Sequence, residues 1–169
     1  MSPATRLRIR PATTADVRAI RQLVDTYAPD RRLLSKATVT LYEAVPEFVV
    51  GELDGVVVAC GAVHVMWEDL AEVRTVAVDP SLRGQGVGGV LLHHLVQRAR
   101  DLGVKRVFCL TFETGFFGRH GFVEIDGTPV DHDVFEQLLR SFDEGVAEFL
   151  ELERVKPNTL GNHRMLLVL

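Results

Sequence analysis

Apolar and polar residues alternate along the first part of the chain in two different periods. The segment from Leu7 to Arg10 alternates apolar and charged side chains, as a half-buried strand does, and Pro11 ends it. A helix is expected after a cap at residues 13–16, and Pro29 stops it. The apolar face of this helix consists of Val17, Ile20, Leu23, Val24 and Tyr27.

The next segments predict a second helix and then three strands. Ser35 is a candidate cap for the helix, whose apolar face is Val39, Tyr42 and Val45. The strands are expected at residues 47–53, 56–67 and 70–78. Asp54-Gly55 joins the first two as a hairpin, because these residues tolerate the positive φ of a tight turn. The three strands therefore form an antiparallel meander.

The second half of the chain predicts a helix between two strands and then a mixed tail. The helix places Gly88, Leu92, Leu95, Ala99 and Leu102 on one face against a core. The strand at residues 104–111 is apolar on both faces, which fits a buried parallel neighbour of the strand at 70–78. A short helix at 115–120 and a strand from Gly121 follow. Asp131 caps a further helix with Phe135, Leu138, Leu139 and Phe142 inward, and residues 164–169 form the last strand.

These elements define an α/β protein with a mixed, mostly antiparallel sheet flanked by helices. Its 169 residues suit one domain over residues 1–169, without a second. The net charge of −4 and the absence of a long basic run argue against nucleic acid. The longest apolar runs are too short to cross a membrane, and no signal segment begins the chain. We therefore expect a cytoplasmic protein; its oligomeric state, including a homodimer, stays open.

A glycine-rich turn precedes the central helix and is the strongest candidate for ligand binding. The turn runs from Ser81 to Gly89 and contains four glycines, Gly84, Gly86, Gly88 and Gly89. Glycines let a ligand approach the backbone closely, and the helix they open offers N–H groups at its positive end. With Arg83 as a counter-charge, this is the chemistry of a pyrophosphate site.

Two families use such a turn. Gly84, Gly86 and Gly89 satisfy the dinucleotide pattern Gly-x-Gly-x-x-Gly, and Glu113 lies where a ribose-binding acid would sit. However, five residues separate the strand end from the first glycine, and no series of strand–helix units follows. The same residues satisfy Arg-x-x-Gly-x-Gly, beginning at Arg83.

The run Arg83-Gly-Gln-Gly-Val-Gly after Val76-Ala-Val-Asp-Pro resembles the acetyl-CoA loop of the GCN5-related N-acetyltransferases (GNAT). The aromatic run from Phe116 to Phe122 is a second point of resemblance. The resemblance implies a sheet splayed between its fourth and fifth strands, with acetyl-CoA as cosubstrate. The residues it assigns to acetyl-CoA are Thr75, Val76, Ala77, Val78, Arg83, Gly84, Gln85, Gly86, Val87, Gly88, Gly89 and Phe117.

Transfer to an amine requires a base, because an amine is mostly protonated at neutral pH. Glu72 is our candidate, since packing does not explain a carboxylate in an apolar strand; the alternative is a structural pair with Arg74. Phe117 stands where the superfamily often has a tyrosine acid. Thr111 is the substitute candidate, although it also fits a simple strand residue.

The histidines and cysteines give no sign of a metal. His93 and His94 are adjacent on the helix and diverge, and no histidine or cysteine pair has zinc spacing. Cys60 and Cys109 lie within apolar strands, where we expect buried, inert thiols and not a covalent acetyl carrier.

Within the superfamily, the chain most resembles the short, kinase-free amino-acid N-acetyltransferases that act as N-acetylglutamate synthases. The segments that carry this resemblance are residues 33–43, 72–78, 110–117 and 156–166. It implies L-glutamate as substrate, acetylated by direct attack in a ternary complex. Lys36 is expected at one substrate carboxylate and Arg164 or Arg74 at the other. The alternatives are acetylation of another amine, such as a different amino acid or a protein N-terminus, and a non-catalytic acyl-CoA-binding module.

Overall fold

The computed structural model describes residues 1–27, 37–151 and 161–169. The strands in these residues are β1 Arg8–Pro11, β2 Phe48–Leu53, β3 Val56–Trp67, β4 Leu70–Val78, β5 Arg106–Thr111, β6 Val123–Ile125 and β7 His163–Val168. The helices are α1 Pro3–Arg6, α2 Val17–Tyr27, α3 Thr38–Glu43, α4 Val87–Asp101, α5 Thr114–Arg119, α6 His132–Leu138 and α7 Glu144–Phe149. Within the described ranges, no helix has the length and apolar character needed to cross a membrane.

The strands form a seven-stranded mixed sheet in the order β1-β2-β3-β4-β5-β7-β6. The pairs β1–β2, β2–β3, β5–β7 and β6–β7 are antiparallel. β4 and β5 are parallel, and the paired residues are Leu70–Glu72 with Arg106–Phe108. The predicted α/β class, the Asp54-Gly55 hairpin and the parallel β4–β5 pair are confirmed, with φ of 50° and 82° at the two hairpin residues.

Contacts group the chain into two compact units. The first unit comprises residues 1–64 and 73–103, and the second comprises residues 65–72 and 104–169. In the first unit, α2 packs its apolar face against β2 and β3. The buried cluster there consists of Val17, Ile20, Leu23, Val24, Leu41, Phe48, Val50, Cys60, Ala62 and Ala77.

The second unit has its own buried cluster, built where β5 meets α6 and α7. Its members are Met66, Leu70, Phe108, Leu138, Val146, Phe149 and Leu150. The rings of Phe108 and Phe149 meet edge to face, with centroids 4.8 Å apart. The single domain over residues 1–169 stays a prediction.

The helical faces predicted at three places are partly wrong. Leu102 is 53% exposed because α4 ends at Asp101 and Gly103 turns the chain with φ of 94°. Leu139 and Phe142 are exposed because α6 stops at Leu138. In α3 the buried residue is Leu41, whereas Val39 and Tyr42 are exposed. The sequence reading also missed α1 and α7.

A partly buried ion-pair network ties the start of α2 to the first two strands. Arg10 donates to both carboxylate oxygens of Asp16, at 2.7 and 2.8 Å, and to Glu52 at 2.7 Å. The Asp16 side chain is only 7% exposed. The hydrogen bonds from Arg10 lower the pKa of Asp16 to about 2, against the opposing effect of burial.

Because the pKa of Asp16 is lowered on folding, its stabilisation is complete above about pH 4 and is lost as the pH falls toward 2. The shift corresponds to about 2 kcal/mol of unfolding free energy. We expect Asp16→Asn to lower the free energy of unfolding at neutral pH by about that amount and to flatten its decline with acid. Urea unfolding across this pH range measures both.

Asp25→Asn is the matched control. Asp25 pairs with Arg21 on the open surface of α2, at 3.1 Å, with its side chain 49% exposed. Removing an exposed pair should change the free energy of unfolding by less than about 0.5 kcal/mol. Equal losses in the two variants would contradict a special role for the Arg10 network.

Candidate active site

The glycine-rich turn leaves β4 through a tightly bonded corner in the first unit. The Asp79 carboxylate accepts from the Ser81 N–H at 2.9 Å and from the Ser81 hydroxyl at 2.8 Å. Gly84 and Gly86 then adopt φ of 77° and 82°, which side chains other than glycine rarely tolerate. These two glycines therefore set the path of the backbone into α4.

The N-terminus of α4 has the properties of an anion site. Gly86 is the N-cap of this 15-residue helix, and the first N–H groups of a helix have no partner within it. Arg83 is exposed beside them. A Cβ added at Gly84 would meet no atom of the described chain within 4 Å, so a side chain there would project into open space. The turn thus leaves room for a diphosphate that a larger residue would fill.

The part of β4 before the turn departs from regular strand geometry. Thr75 has φ of 57° although it is β-branched and lies within a strand, and it is buried. Its carbonyl accepts a hydrogen bond from the thiol of Cys60 on β3, at 3.6 Å. Because a trans peptide points its C=O and the following N–H in opposite directions, the Val76 N–H points away from the Cys60 sulfur.

The end of β4 is also tied to α2. The hydroxyl of Tyr27, the last residue of α2, donates to the carbonyl of Val78. This contact fixes one main-chain carbonyl of the segment at residues 75–78. Sequence reasoning assigned Tyr27 to the apolar face of α2, and no linear signal indicates its bond to β4.

Glu72, the predicted base, lies in the second unit at the parallel pair. It is 5% exposed, and its register partner on β5 is Phe108. Glu72 is therefore a buried carboxylate within the second unit. Burial, together with the charge of Glu72, raises the pKa of the Cys109 thiol well above its usual value. A thiol in that state is a poor nucleophile, which argues against Cys109 as an acetyl carrier.

Arg164 on β7 is buried and extensively bonded. Its Nε donates to the Gly127 carbonyl at 2.8 Å and its Nη2 to the Phe149 carbonyl at 2.6 Å. Its guanidinium carbon lies 5.0 Å from the centre of the Phe108 ring, and Nη1 is 3.8 Å from Glu151. The arginine therefore joins β7 to the loop before α6 and to the end of α7.

The charge of Glu72 acts on Arg164 as well. Burial lowers the pKa of the guanidinium, and the carboxylates of Glu151, Glu148 and Glu72 act in the opposite direction. One buried cation thus lies within electrostatic range of the predicted base. The sequence interpretation placed Arg164 only at a substrate carboxylate.

Thr111 and Phe117 follow Glu72 in the second unit. Thr111 is buried at the end of β5, where its hydroxyl oxygen accepts from the Glu113 N–H at 2.8 Å. The hydroxyl proton itself can still be donated. Phe117 is buried on α5 and packs edge to face against Phe116 and Phe122, with centroids 5.1 and 5.2 Å apart. The ring lies in an aromatic cluster and carries no acid.

Two further residues were predicted at the substrate carboxylates, Arg74 and Lys36. Arg74 is half-buried on β4, in the first unit. Lys36 lies outside the described residues. In the part of the chain that the structure describes, no group of three or more histidine, cysteine, aspartate or glutamate side chains could hold a metal ion.

Comparison with known proteins matches this chain to a known family. The model of the acetyltransferase (GNAT) family matches residues 17–122. A Mycobacterium tuberculosis protein named amino-acid acetyltransferase is 62% identical over 164 residues, which cover 95% of this chain and 94% of that protein.

Solved structures agree with the sequence comparison. A crystal structure from Mycobacterium tuberculosis, in complex with CoA and NLQ, matches with a TM-score of 0.91 and 62% identity, over 96% of this chain and 99% of that one. N-acetylglutamate synthase from Neisseria gonorrhoeae, complexed with coenzyme A and N-acetyl-glutamate, gives a TM-score of 0.77 at 24% identity. That match covers 96% of this chain and 35% of the other, and at this identity it indicates the fold alone.

The chain belongs to the GNAT family of acetyltransferases. It is an acetyl-CoA-dependent N-acetyltransferase, and the turn from Arg83 to Gly89 is suited to the diphosphate of that cosubstrate. This identification confirms the predicted family and cosubstrate. It rules against the dinucleotide-binding interpretation, and it favours an enzyme over a non-catalytic acyl-CoA-binding module.

Proposed function

We propose that this enzyme transfers the acetyl group of acetyl-CoA to the α-amine of an amino acid, with L-glutamate as the main substrate. The observation that carries the proposal is the 62% identity, over nearly the whole length of both chains, to a protein named amino-acid acetyltransferase. Acetylation of glutamate would make this an N-acetylglutamate synthase at the first step of arginine biosynthesis. Such a step belongs in the cytoplasm.

The first unit would hold the cosubstrate. The N–H groups at the start of α4 and the side chain of Arg83 would bind the diphosphate, since both favour negative charge. Gly84, Gln85 and Gly86 would let the diphosphate approach, and Val87, Gly88 and Gly89 would supply the helix N–H groups. The backbone of residues 75–78 would pair with the pantetheine arm as an added strand does. When bound, acetyl-CoA supplies an acetyl group already activated as a thioester.

Two residues of the second unit, Glu72 and Thr111, would carry out the proton transfers. Glu72 would accept the proton that the substrate ammonium must lose before its nitrogen attacks the acetyl carbonyl carbon, through a bridging water. As the carbon–sulfur bond breaks, the Thr111 hydroxyl would donate its proton to the departing thiolate and take the second proton that the acetylated nitrogen must lose, which restores the hydroxyl. The thiolate of CoA is also a tolerable leaving group by itself, because thiols ionise with a pKa near 8.5. Phe117 would pack beside the cosubstrate without taking part in proton transfer.

Glutamate has two carboxylates, and each would need a cation. We assign one to Lys36 and the other to Arg74 or Arg164. Two of the Arg164 nitrogens already donate to main-chain carbonyls, which favours Arg74 for direct contact with substrate. Arg164 would then act by keeping a positive charge near Glu72.

Release of the CoA thiol, followed across a panel of amino acids and an N-terminal peptide, tests the substrate class. We expect glutamate to give the highest kcat/KM, with acetylation at the α-amine identified by mass spectrometry. Preferred turnover of the peptide would instead support protein N-terminal acetylation, and preference for another amino acid would replace glutamate.

Lys36→Met tests the substrate carboxylate directly. A charge-assisted hydrogen bond contributes about 1.5 to 3 kcal/mol, so its loss should raise KM by about ten- to a hundredfold. If Lys36 binds the side-chain carboxylate, the KM for glutamate should rise more than the KM for glutamine or alanine. If Lys36 binds the α-carboxylate, the KM values for all three amino acids should rise by the same factor.

Lys105→Met serves as the matched lysine control, because Lys105 is exposed just before β5 and has no assigned role. It should leave every KM within about twofold of wild type, and both variants should keep the wild-type KM for acetyl-CoA. Wild-type kinetics for Lys36→Met on all three amino acids would remove Lys36 from the substrate site.

A further inference from the structure

We propose that the buried thiol of Cys60 is a positioning residue that holds the irregular Thr75–Val76 peptide of β4 in its cosubstrate-binding orientation. The inference rests on the proposed function, in which residues 75–78 bind the pantetheine arm. It goes beyond that function by assigning a role to a side chain on β3 that does not contact substrate.

The peptide that Cys60 contacts needs such support. A β-branched residue at φ of 57° is held in a sparsely populated conformation, and residues of this kind persist only where their surroundings enforce them. The residue at this position is a threonine and not a glycine, which would tolerate the positive φ, and it is buried within the first unit. The conformation must therefore be held by the groups around it.

Cys60 contacts the irregular segment on both sides of Val76. Its sulfur donates to the Thr75 carbonyl at 3.6 Å, and the backbone N–H of Ala77 donates to the same sulfur. The side chain is fully buried among the apolar residues of the first unit. No water competes for these bonds in such a setting, so weak sulfur hydrogen bonds keep their full effect.

The thiol is suited to this task because it does not ionise. Burial raises the pKa of Cys60 to about 12, so the S–H group is present as a donor over the whole working range of pH. A thiolate would repel the Thr75 carbonyl. The same burial makes Cys60 a poor nucleophile, which removes the competing interpretation of a reactive cysteine.

The consequence for the site lies in the Val76 N–H. With the Thr75 carbonyl fixed toward Cys60, the trans peptide points the Val76 N–H in the opposite direction. If Thr75 relaxed to the extended region, the Thr75–Val76 peptide would rotate, and the Val76 N–H would no longer point in this direction. Cys60 would thus determine whether the backbone of β4 presents a donor to the pantetheine arm.

Cys60→Ala tests the inference. We expect the dissociation constant of CoA and the KM for acetyl-CoA to rise about three- to tenfold, with the KM for the amino acid unchanged. Cys60→Ser keeps a donor at the same position and should stay closer to wild type than Cys60→Ala. The serine variant also keeps the test usable if the alanine variant folds poorly.

Cys109→Ala is the matched control, because Cys109 is an equally buried cysteine on β5, whereas the sulfur bonded to Thr75 and Ala77 is that of Cys60. It should lose a similar amount of stability in urea unfolding while leaving CoA affinity within about twofold of wild type. An equal loss of CoA affinity in both cysteine variants would overturn the proposal, since the effect would then reflect packing in general.

Measuring the effect of Cys60→Ala a second time, in a Thr75→Gly variant, separates the role of the Thr75 conformation from that of packing. Glycine adopts a positive φ without cost, so Cys60→Ala should change CoA affinity by less than about twofold when Thr75→Gly is also present. An undiminished effect in that background would contradict the proposal, as would wild-type affinity in Cys60→Ala alone. CoA binding measured by calorimetry needs no amino acid, so it tests this inference even if the amino-acid assignment proves wrong.

Discussion

Replacing Glu72 by glutamine is expected to lower kcat by about 10²- to 10⁴-fold, the range for loss of a general base. Glutamine has the same shape as glutamate, so the buried position on β4 stays filled and the KM for acetyl-CoA should change little. The rate of the variant should rise with pH as unprotonated amine becomes available from solution, whereas the wild type should reach a plateau. Steady-state kinetics of both proteins over a range of pH measure these effects.

Glu68→Gln is the control for this experiment, since Glu68 is an exposed glutamate between β3 and β4. It should retain wild-type kcat. Urea unfolding of the Glu72 variant shows whether its loss of activity reflects damage to the fold. A folded variant with wild-type turnover would favour the alternative that Glu72 serves a structural pair with Arg74.

Replacing Gly84 by valine should raise the KM for acetyl-CoA by about ten- to a hundredfold or abolish binding. The added side chain would project into the space where the diphosphate approaches, and the loss of one charge-assisted contact already corresponds to that factor. The KM for the amino acid should stay close to wild type. Direct binding of CoA by calorimetry, together with kinetics, measures the difference.

Gly55→Val isolates the backbone contribution, because the two glycines have nearly the same positive φ. Gly55 has φ of 82° in the β2–β3 turn and Gly84 has φ of 77°, and a Cβ at either position meets no atom of the described residues within 4 Å. Both variants should therefore lose similar stability. Normal CoA affinity in Gly84→Val, or an equal loss in Gly55→Val, would contradict a diphosphate site at this turn.

Most strands and the central helix can be predicted from local patterns in the sequence. β3 and β4 occupy the same residues, 56–67 and 70–78, in the prediction and in the structure. Asp54-Gly55 marks the hairpin because few other pairs tolerate positive φ, and the glycines after Arg83 mark the start of α4 for the same reason. The apolar neighbours of Glu72 along β4 marked it in the sequence as a carboxylate that packing does not explain, and the structure shows that it is buried.

Helix ends are less visible in the sequence. Leu139 and Phe142 continue the apolar period of α6, yet the helix stops at Leu138 and α7 begins at Glu144. Apolar periodicity reports which face could be buried, and not where the chain turns away. Several of the side chains that fill the second unit, Val146, Phe149 and Leu150, come from α7 and its C-cap, and the short length of this helix gives little periodic signal.

The sequence by itself determined the class of the sheet, the turn that fits a diphosphate and the carboxylate proposed as base, because each depends on neighbouring residues or on a short motif. Only the tertiary structure decided that β7 lies between β5 and β6, and that Arg164 is bonded to Gly127 and Phe149 within electrostatic range of Glu72. It alone brought Cys60 to the Thr75 carbonyl. These contacts join residues 15 or more positions apart, and local hydrophobic patterns carry no information about which distant partner a buried polar group will find.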